Sequence, residues 1–408
     1  MKQPLFLKLL CIISTAGVIF ASDQNWPQFR GLAGNGVSSE TGLVNEWSAE
    51  GPKILWKISI GEGFSGVSVA DGICYTMDAR MEPEPFEYAV AYRASSGEEI
   101  WRTKMNKKFD EEFGNGPRVT PTVVGDKVLV LDSLGKFAAL SIADGKEIWA
   151  VDLQKDFKSK FPRYGYSTSP IVSGDRIILE VGGAEGKRMM AFNIDDGKVL
   201  WGTQDGNSLY NTPLPVSLFG QKQFVFVTPS DVQALDDNGV MLWSFKWPGG
   251  GEAISSPVYV PPNKFFVSNP NKGGATLFEV NKNSDIYETK DVWSNRVMKN
   301  HFSSSIFYKG HIYGFDNATL KCINATDGSI AWSKRRYGKG ALILADGKLF
   351  ILSDRGLLVM AEAAETGFKE LGSVQALQGK CWTAPSLSAG KLFLRNHQEL
   401  VCIDLKAS

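Results

Sequence analysis

Few residues in this chain are equipped for chemistry. There are three histidines: His301 lies in KNHFSS, His311 follows a turn-like stretch and His397 follows a strand-like run. None of the five cysteines is adjacent to another and no CxxC occurs, so structural zinc and covalent haem lack their usual spacing. No Gly-x-Ser-x-Gly elbow or P-loop is present. No cluster of Asp, Glu and Asn marks a hard-cation site, so no metal is expected. What remains is a scattered set of stacking, amide and cationic side chains: Arg118, Tyr164, Asn300, His301, Lys339 and Trp382. Each stands just ahead of an apolar, strand-like segment. Brought together, they would hold an anionic or sugar-like ligand by stacking and charged hydrogen bonds. Left apart, they only solvate a surface.

The elements that would bring them together are repeats. Gly97, Gly145, Gly197, Gly239 and Gly328 each have a tryptophan four positions on: Trp101, Trp149, Trp201, Trp243 and Trp332. An apolar run precedes each glycine, which reads as strand, tight turn, strand. Two copies are degenerate. Gly367 is followed at the same offset by Leu371, and Trp293 ends a glycine-less version, VNKNSDIYETKDVW. A second turn-then-strand phrase recurs near 72, 125, 174, 220, 262, 310, 347 and 390, several times after a Pro-containing strand start such as TPTVV or SPIVS. Pro is tolerated at the first residue of a strand. The segments are rich in Val, Ile, Phe and Tyr and lack helical periodicity.

A four-stranded unit of about 40–50 residues is the signature of a β-propeller blade. Eight units are present, and the last stops after three strands. PKILWKISI, at 52–60 and carrying Trp56, is spare at the other end. The expected fold is therefore all-β: an eight-bladed propeller of four-stranded antiparallel blades, closed by the N-terminal strand completing the last blade. Closure leaves no open sheet edge. Residues 52–408 read as one propeller behind an arm, 23–51. The residues ahead of each innermost strand, Glu252 among them, would converge at the channel mouth. Trp56, Trp101, Trp149, Trp201, Trp243, Trp293 and Trp332 are expected to pack between blades, each N–H met by backbone.

The xDGKxxW phrase resembles the tryptophan-docking repeat of the PQQ-like, quinoprotein alcohol dehydrogenase-like family of eight-bladed propellers. The segments NWPQFRGLAGNGVS, VMKNHFSS and YGKGALILADGKLF look like an exported bacterial branch of it, often likened to BamB, and the resemblance covers roughly 24–405. It implies either a non-catalytic scaffold or a dehydrogenase. The dehydrogenases hold PQQ with Ca²⁺, use an Asp base and a stacking Trp, and cover the quinone with a disulfide between adjacent cysteines. Those cysteines are missing here and the blades lack long insertions. The expectation is a binding or scaffold module whose partner is an envelope protein or a small anionic or sugar-like ligand, with no cofactor. The alternative is a PQQ-dependent alcohol or sugar oxidoreductase, for which PQQ with Ca²⁺ would be the cofactor.

Charged residues are 22% and balance to zero, so no nucleic-acid footprint is visible. Residues 1–22 read as a signal peptide: Lys2 and Lys8 precede LLCIISTAGVIFA, which is short for a bilayer but right for an h-region. No membrane span is expected once it is removed, and the product would be periplasmic or secreted. Cys74, Cys322 and Cys402 lie in apolar runs and are expected to be buried small hydrophobes.

Overall fold

The computed structural model describes residues 24–48, 50–247, 254–270 and 273–407. The leader, 1–22, and Glu252 lie outside the described residues. The described chain forms eight four-stranded antiparallel sheets arranged in a ring, an eight-bladed β-propeller. The first seven blades run in chain order, spanning 68–107, 122–152, 171–203, 214–246, 258–295, 306–334 and 341–375. Blade 8 takes three strands from 386–404 and its outermost from Ile54–Ser59, which pairs antiparallel with Glu399–Asp404 and sets Trp56 opposite Cys402. Ring closure thus follows the sequence reading. The one helix among the described residues is short, Leu153–Phe157. No described helix is long and apolar enough to cross a membrane.

The turn residues explain the hairpins. Gly145 sits at φ +71° between the third and fourth strands of blade 2, a backbone region that L-residues rarely adopt. Just beyond the turn, the register slips so that Trp149 faces Ala139 while Glu147 faces Leu140, leaving Ile148 as the extra residue of a bulge. A bulge re-aims the side chain beside it. Here it turns the indole toward the next blade.

The indole N–H groups cross the gaps between blades. Trp56 donates to Ala94 O, Trp101 to Ile142 O, Trp149 to Ile194 O and Trp201 to Asp237 O, at 2.9–3.1 Å. Trp293 donates to Ala325 O at 2.9 Å and Trp332 to Ala364 O at 2.7 Å. Trp243 departs from the expectation of a backbone partner: its N–H goes to the side-chain oxygen of Gln223 at 2.7 Å. Blade 5 lacks the turn glycine that would seat the ring, and Trp243 packs instead on Phe265 and Phe278. Cys74, Cys322, Cys381 and Cys402 are all buried free thiols.

A second belt runs closer to the axis. The hydroxyl of Ser65 donates to Val119 O at 2.6 Å, and that of Ser169 accepts from Thr120 N at 3.1 Å. Thr212 accepts from Ser169 N at 3.0 Å and Ser304 from Ser256 N at 2.9 Å, while Ser386 returns to Val67 O at 2.6 Å. These Ser and Thr residues sit at the starts of the innermost strands and tie blades 1–2, 2–3, 3–4, 5–6 and 8–1 together where buried backbone would otherwise be unpaired.

The arm does more than lead into the ring. Trp26 pairs with Val69 of blade 1, and Pro27 accepts from Val123 N of blade 2. Gly34 reaches Leu214 and Pro215 of blade 4, Gly36 O accepts from Leu344 N of blade 7, and Ser38 N donates to Leu344 O. The segment 26–37 therefore crosses the channel and closes one end of it.

Candidate functional site

Closing one end turns the channel into a cup. Its volume is about 600 Å³, within the usual range for small-molecule sites. Trp26, Phe29 and Arg30 of the arm form the floor; the loops ahead of the innermost strands form the walls, with Phe64, Arg118, Tyr164, Tyr210, His301, Phe302, Lys339 and Trp382. Five of the six residues singled out from sequence line this one cavity. Asn300 does not. It is buried behind the wall, donating to Phe315 O at 3.0 Å and accepting from Ser305 Oγ at 3.0 Å. That role is to hold the loop that presents His301.

Two aromatic walls can be traced. Trp382 stacks on Phe64 with ring centres 5.4 Å apart, and Phe302 lies 4.8 Å from Trp382 on a tilt. In a second group, Tyr164 contacts Phe113 at 5.8 Å and Tyr210 at 5.6 Å. Such rings offer area to a flat apolar body at little cost in rotamer freedom.

The charges are unbalanced. Arg30, Arg118 and Lys339 line the cup, against Glu111 as the one carboxylate lining it among the described residues. Glu111 is engaged, at 3.4 Å from Arg118. Arg118 also donates to Gly116 O at 2.5 Å and Gly114 O at 2.8 Å, and its guanidinium lies over the rings of Phe64 and Phe109. Arg118 is therefore part of the loop's architecture as well as of the cup. Burial holds its pKa below the ordinary value. The Lys339 ammonium makes no hydrogen bond or ion pair with the described residues. Burial and the Lys339 charge, in that order, lower the His301 pKa, so the ring is neutral at pH 7. Its Nδ1 is buried and has no partner among the described residues.

The floor was invisible to sequence reasoning, which took WPQFRG only as a lead-in. The signal was there in retrospect: two aromatics and an arginine packed into six residues ahead of the first blade.

The donor set does not suit a calcium-bound quinone. Ca²⁺ takes six to eight oxygens, and the cup's described carboxylate is given to Arg118. No group of three or more His, Cys, Asp or Glu that could hold a metal occurs among the described residues.

Fold and cup together define an eight-bladed propeller of the PQQ-like repeat class with a floored central pocket. The chain belongs to the family described as outer membrane protein assembly factor BamB, whose sequence model matches 86–334 and 228–408. BamB from Moraxella catarrhalis superimposes with a TM-score of 0.62 at 13% identity, covering 87% of this chain and 98% of that one. The quinohemoprotein alcohol dehydrogenase of Comamonas testosteroni gives 0.64 at 12%, over 94% and 81%. That named ADHIIG, from Pseudomonas putida HK5, gives 0.66 at 12%, over 95% and 81%. At these identities the likeness establishes the fold. No curated protein sequence matches the chain.

Proposed function

We propose that this protein is an exported binding module of the bacterial envelope, and that the floored cup is where it takes its ligand. The observation that carries the reading is the cup's composition: aromatic walls and, among the described residues, an excess of cations around a volume of about 600 Å³. A channel that only needed plugging would be filled by apolar side chains. The exported location rests on the leader read from sequence, and on a family described by an envelope assembly role. A protein partner docked on the outside of the ring is compatible with this reading, because the cup leaves the blades' outer strands free.

Native mass spectrometry of the protein purified from the periplasm of its own host tests the proposal. A mass increment from a small acidic compound, lost on mild denaturation, is the expected result. Recovery from the cytoplasm with the leader intact, and with no increment, would overturn it. The oxidoreductase alternative is separable: dye reduction with alcohols or sugars on adding PQQ and Ca²⁺ would favour it, despite the poor calcium donor set.

A further inference from the structure

Arg30 on the cup floor is anomalous in three independent ways. Its side chain is buried, at 8% exposure, yet no carboxylate lies within ion-pair reach among the described residues. Its Nη2 donates to Asn35 O and Ser305 O, both at 2.7 Å, whereas Nε and Nη1 have no partner among the described residues although the residue lines the cavity. Its backbone sits at φ +61°, a conformation that is costly for a residue with a Cβ. The neighbouring Gly36, at φ +79°, backs the guanidinium so closely that a Cβ there would come 3.1 Å from Nη2. Burial pulls the pKa down to about 10, which still leaves the group charged at pH 7.

Arg395 makes the contrast plain. It is more deeply buried, at 1% exposure, and also lacks a carboxylate in ion-pair reach among the described residues, but all three of its nitrogens donate. Five acceptors are backbone oxygens, Asn396 O, Ser65 O, Met77 O, Gly61 O and Gly63 O, and the sixth is Thr76 Oγ1. A structural arginine here is saturated. Arg30 is held on one side and left open on the other, toward the void. Burying a charge without pairing it is expensive, and a strained backbone that presents such a charge points to a ligand.

We infer that Arg30 is the anchor for a carboxylate-bearing ligand that enters acid-first, its flat body held between the walls carrying Trp382 and Tyr164. This rests on the cup being a binding site. Tyr164 and Trp382 would set affinity for the ring system, and Arg30 would select acid over neutral analogue.

The experiment is calorimetry of the full chain, leader removed, with naphthoate and naphthamide, which differ in charge and not in shape. Wild type is expected to bind naphthoate about tenfold or more tighter than the amide, the range of a charged hydrogen bond. Arg30→Gln should bring the two within about threefold by losing naphthoate and not the amide, and Tyr164→Ala should weaken both alike. Discrimination that survives Arg30→Gln, or is absent from wild type while both probes bind, overturns the inference and leaves the cup standing. If neither probe binds wild type, the cup reading falls and this one with it. Should Arg30→Gln not fold, the double variant Arg118→Gln, Lys339→Gln decides: the preference for acid persists if Arg30 supplies it and collapses if those two do.

Discussion

The indole of Trp149 lies on Gly197 of the next blade, so close that a Cβ on that glycine would fall 2.6 Å from the ring. The same relation joins Trp56 to Gly97, Trp101 to Gly145, Trp201 to Gly239 and Trp293 to Gly328. The repeated glycine therefore has two duties, a left-handed turn and a seat for a tryptophan that arrives from another blade. Trp149→Ala is expected to destabilise by about 3–5 kcal/mol in denaturant melts. Gly197→Ala should cost clearly more than Gly174→Ala. Both have positive φ, at +69° and +61°, but nothing lies within 4 Å of a Cβ at Gly174. Equal costs would mean that only the turn matters.

Trp243 has no glycine to cover, and Gln223 has taken over as its partner. The buried amide also donates to the Tyr287 hydroxyl at 3.0 Å. Gln223→Leu leaves the buried indole N–H without its partner, while the Tyr287 hydroxyl keeps its bond to Gln221 Oε1 at 2.9 Å, and should cost roughly 1–3 kcal/mol. A melt unchanged from wild type would show that the blade 4–5 contact is carried by Phe265 and Phe278 alone.

The ring and its closure were legible because they depend on patterns that repeat. A turn glycine with a tryptophan four positions on recurs five times, and the turn-then-strand phrase recurs eight times. The cup walls were partly legible because propeller geometry says where pre-strand residues go, which gathered Arg118, Tyr164, His301, Lys339 and Trp382. It could not say which way each points, and Asn300 points into the loop. Nothing periodic marks the floor. WPQFRG occurs once, and its place depends on contacts with Val69, Val123 and Ser305, which lie far along the chain. The serine and threonine belt was hidden for a different reason: residues such as Thr120 and Ser169 precede prolines and read as simple strand starts.

Glu87 should make the protein less stable as pH rises. Burial, then the neighbouring Asp132, push its carboxyl up to about 8. It accepts from Ser133 N at 2.9 Å while its other oxygen makes no close hydrogen bond among the described residues. Asp132 accepts from the backbone of Asn106, Leu134, Gly135 and Lys136 and so has first claim on the negative charge. A raised acid pKa stabilises the fold fully below the unfolded value near 4.3, and the contribution is lost as pH climbs through 8. Glu87→Gln removes the titration. The variant should match wild type in urea at pH 5 and exceed it by roughly 1–3 kcal/mol at pH 8.5. Parallel pH profiles would show that Glu87 is ionised in the fold at both pH values.

His301 offers a readout of the cup that folding does not confuse. Arg118 and His301 both line the cup but differ in what they hold up. With its carbonyl bonds and two ring contacts, Arg118→Ala should lower the melting temperature. His301→Ala breaks no protein hydrogen bond at Nδ1 and should stay within about 1 kcal/mol of wild type. In the empty cup the His301 pKa is depressed by burial and by Lys339. A bound carboxylate offsets the Lys339 charge, so the pKa rises on binding and a proton is taken up. Linkage then makes naphthoate bind more tightly as pH falls through the bound-state pKa, levelling off below the free one. An uplift of half a pKa unit corresponds to about threefold in affinity. Calorimetry in buffers of different ionisation enthalpy should detect that proton in wild type and not in His301→Ala. If proton uptake persists in the variant, the titrating group is elsewhere and the charges around His301 do not meet the acid.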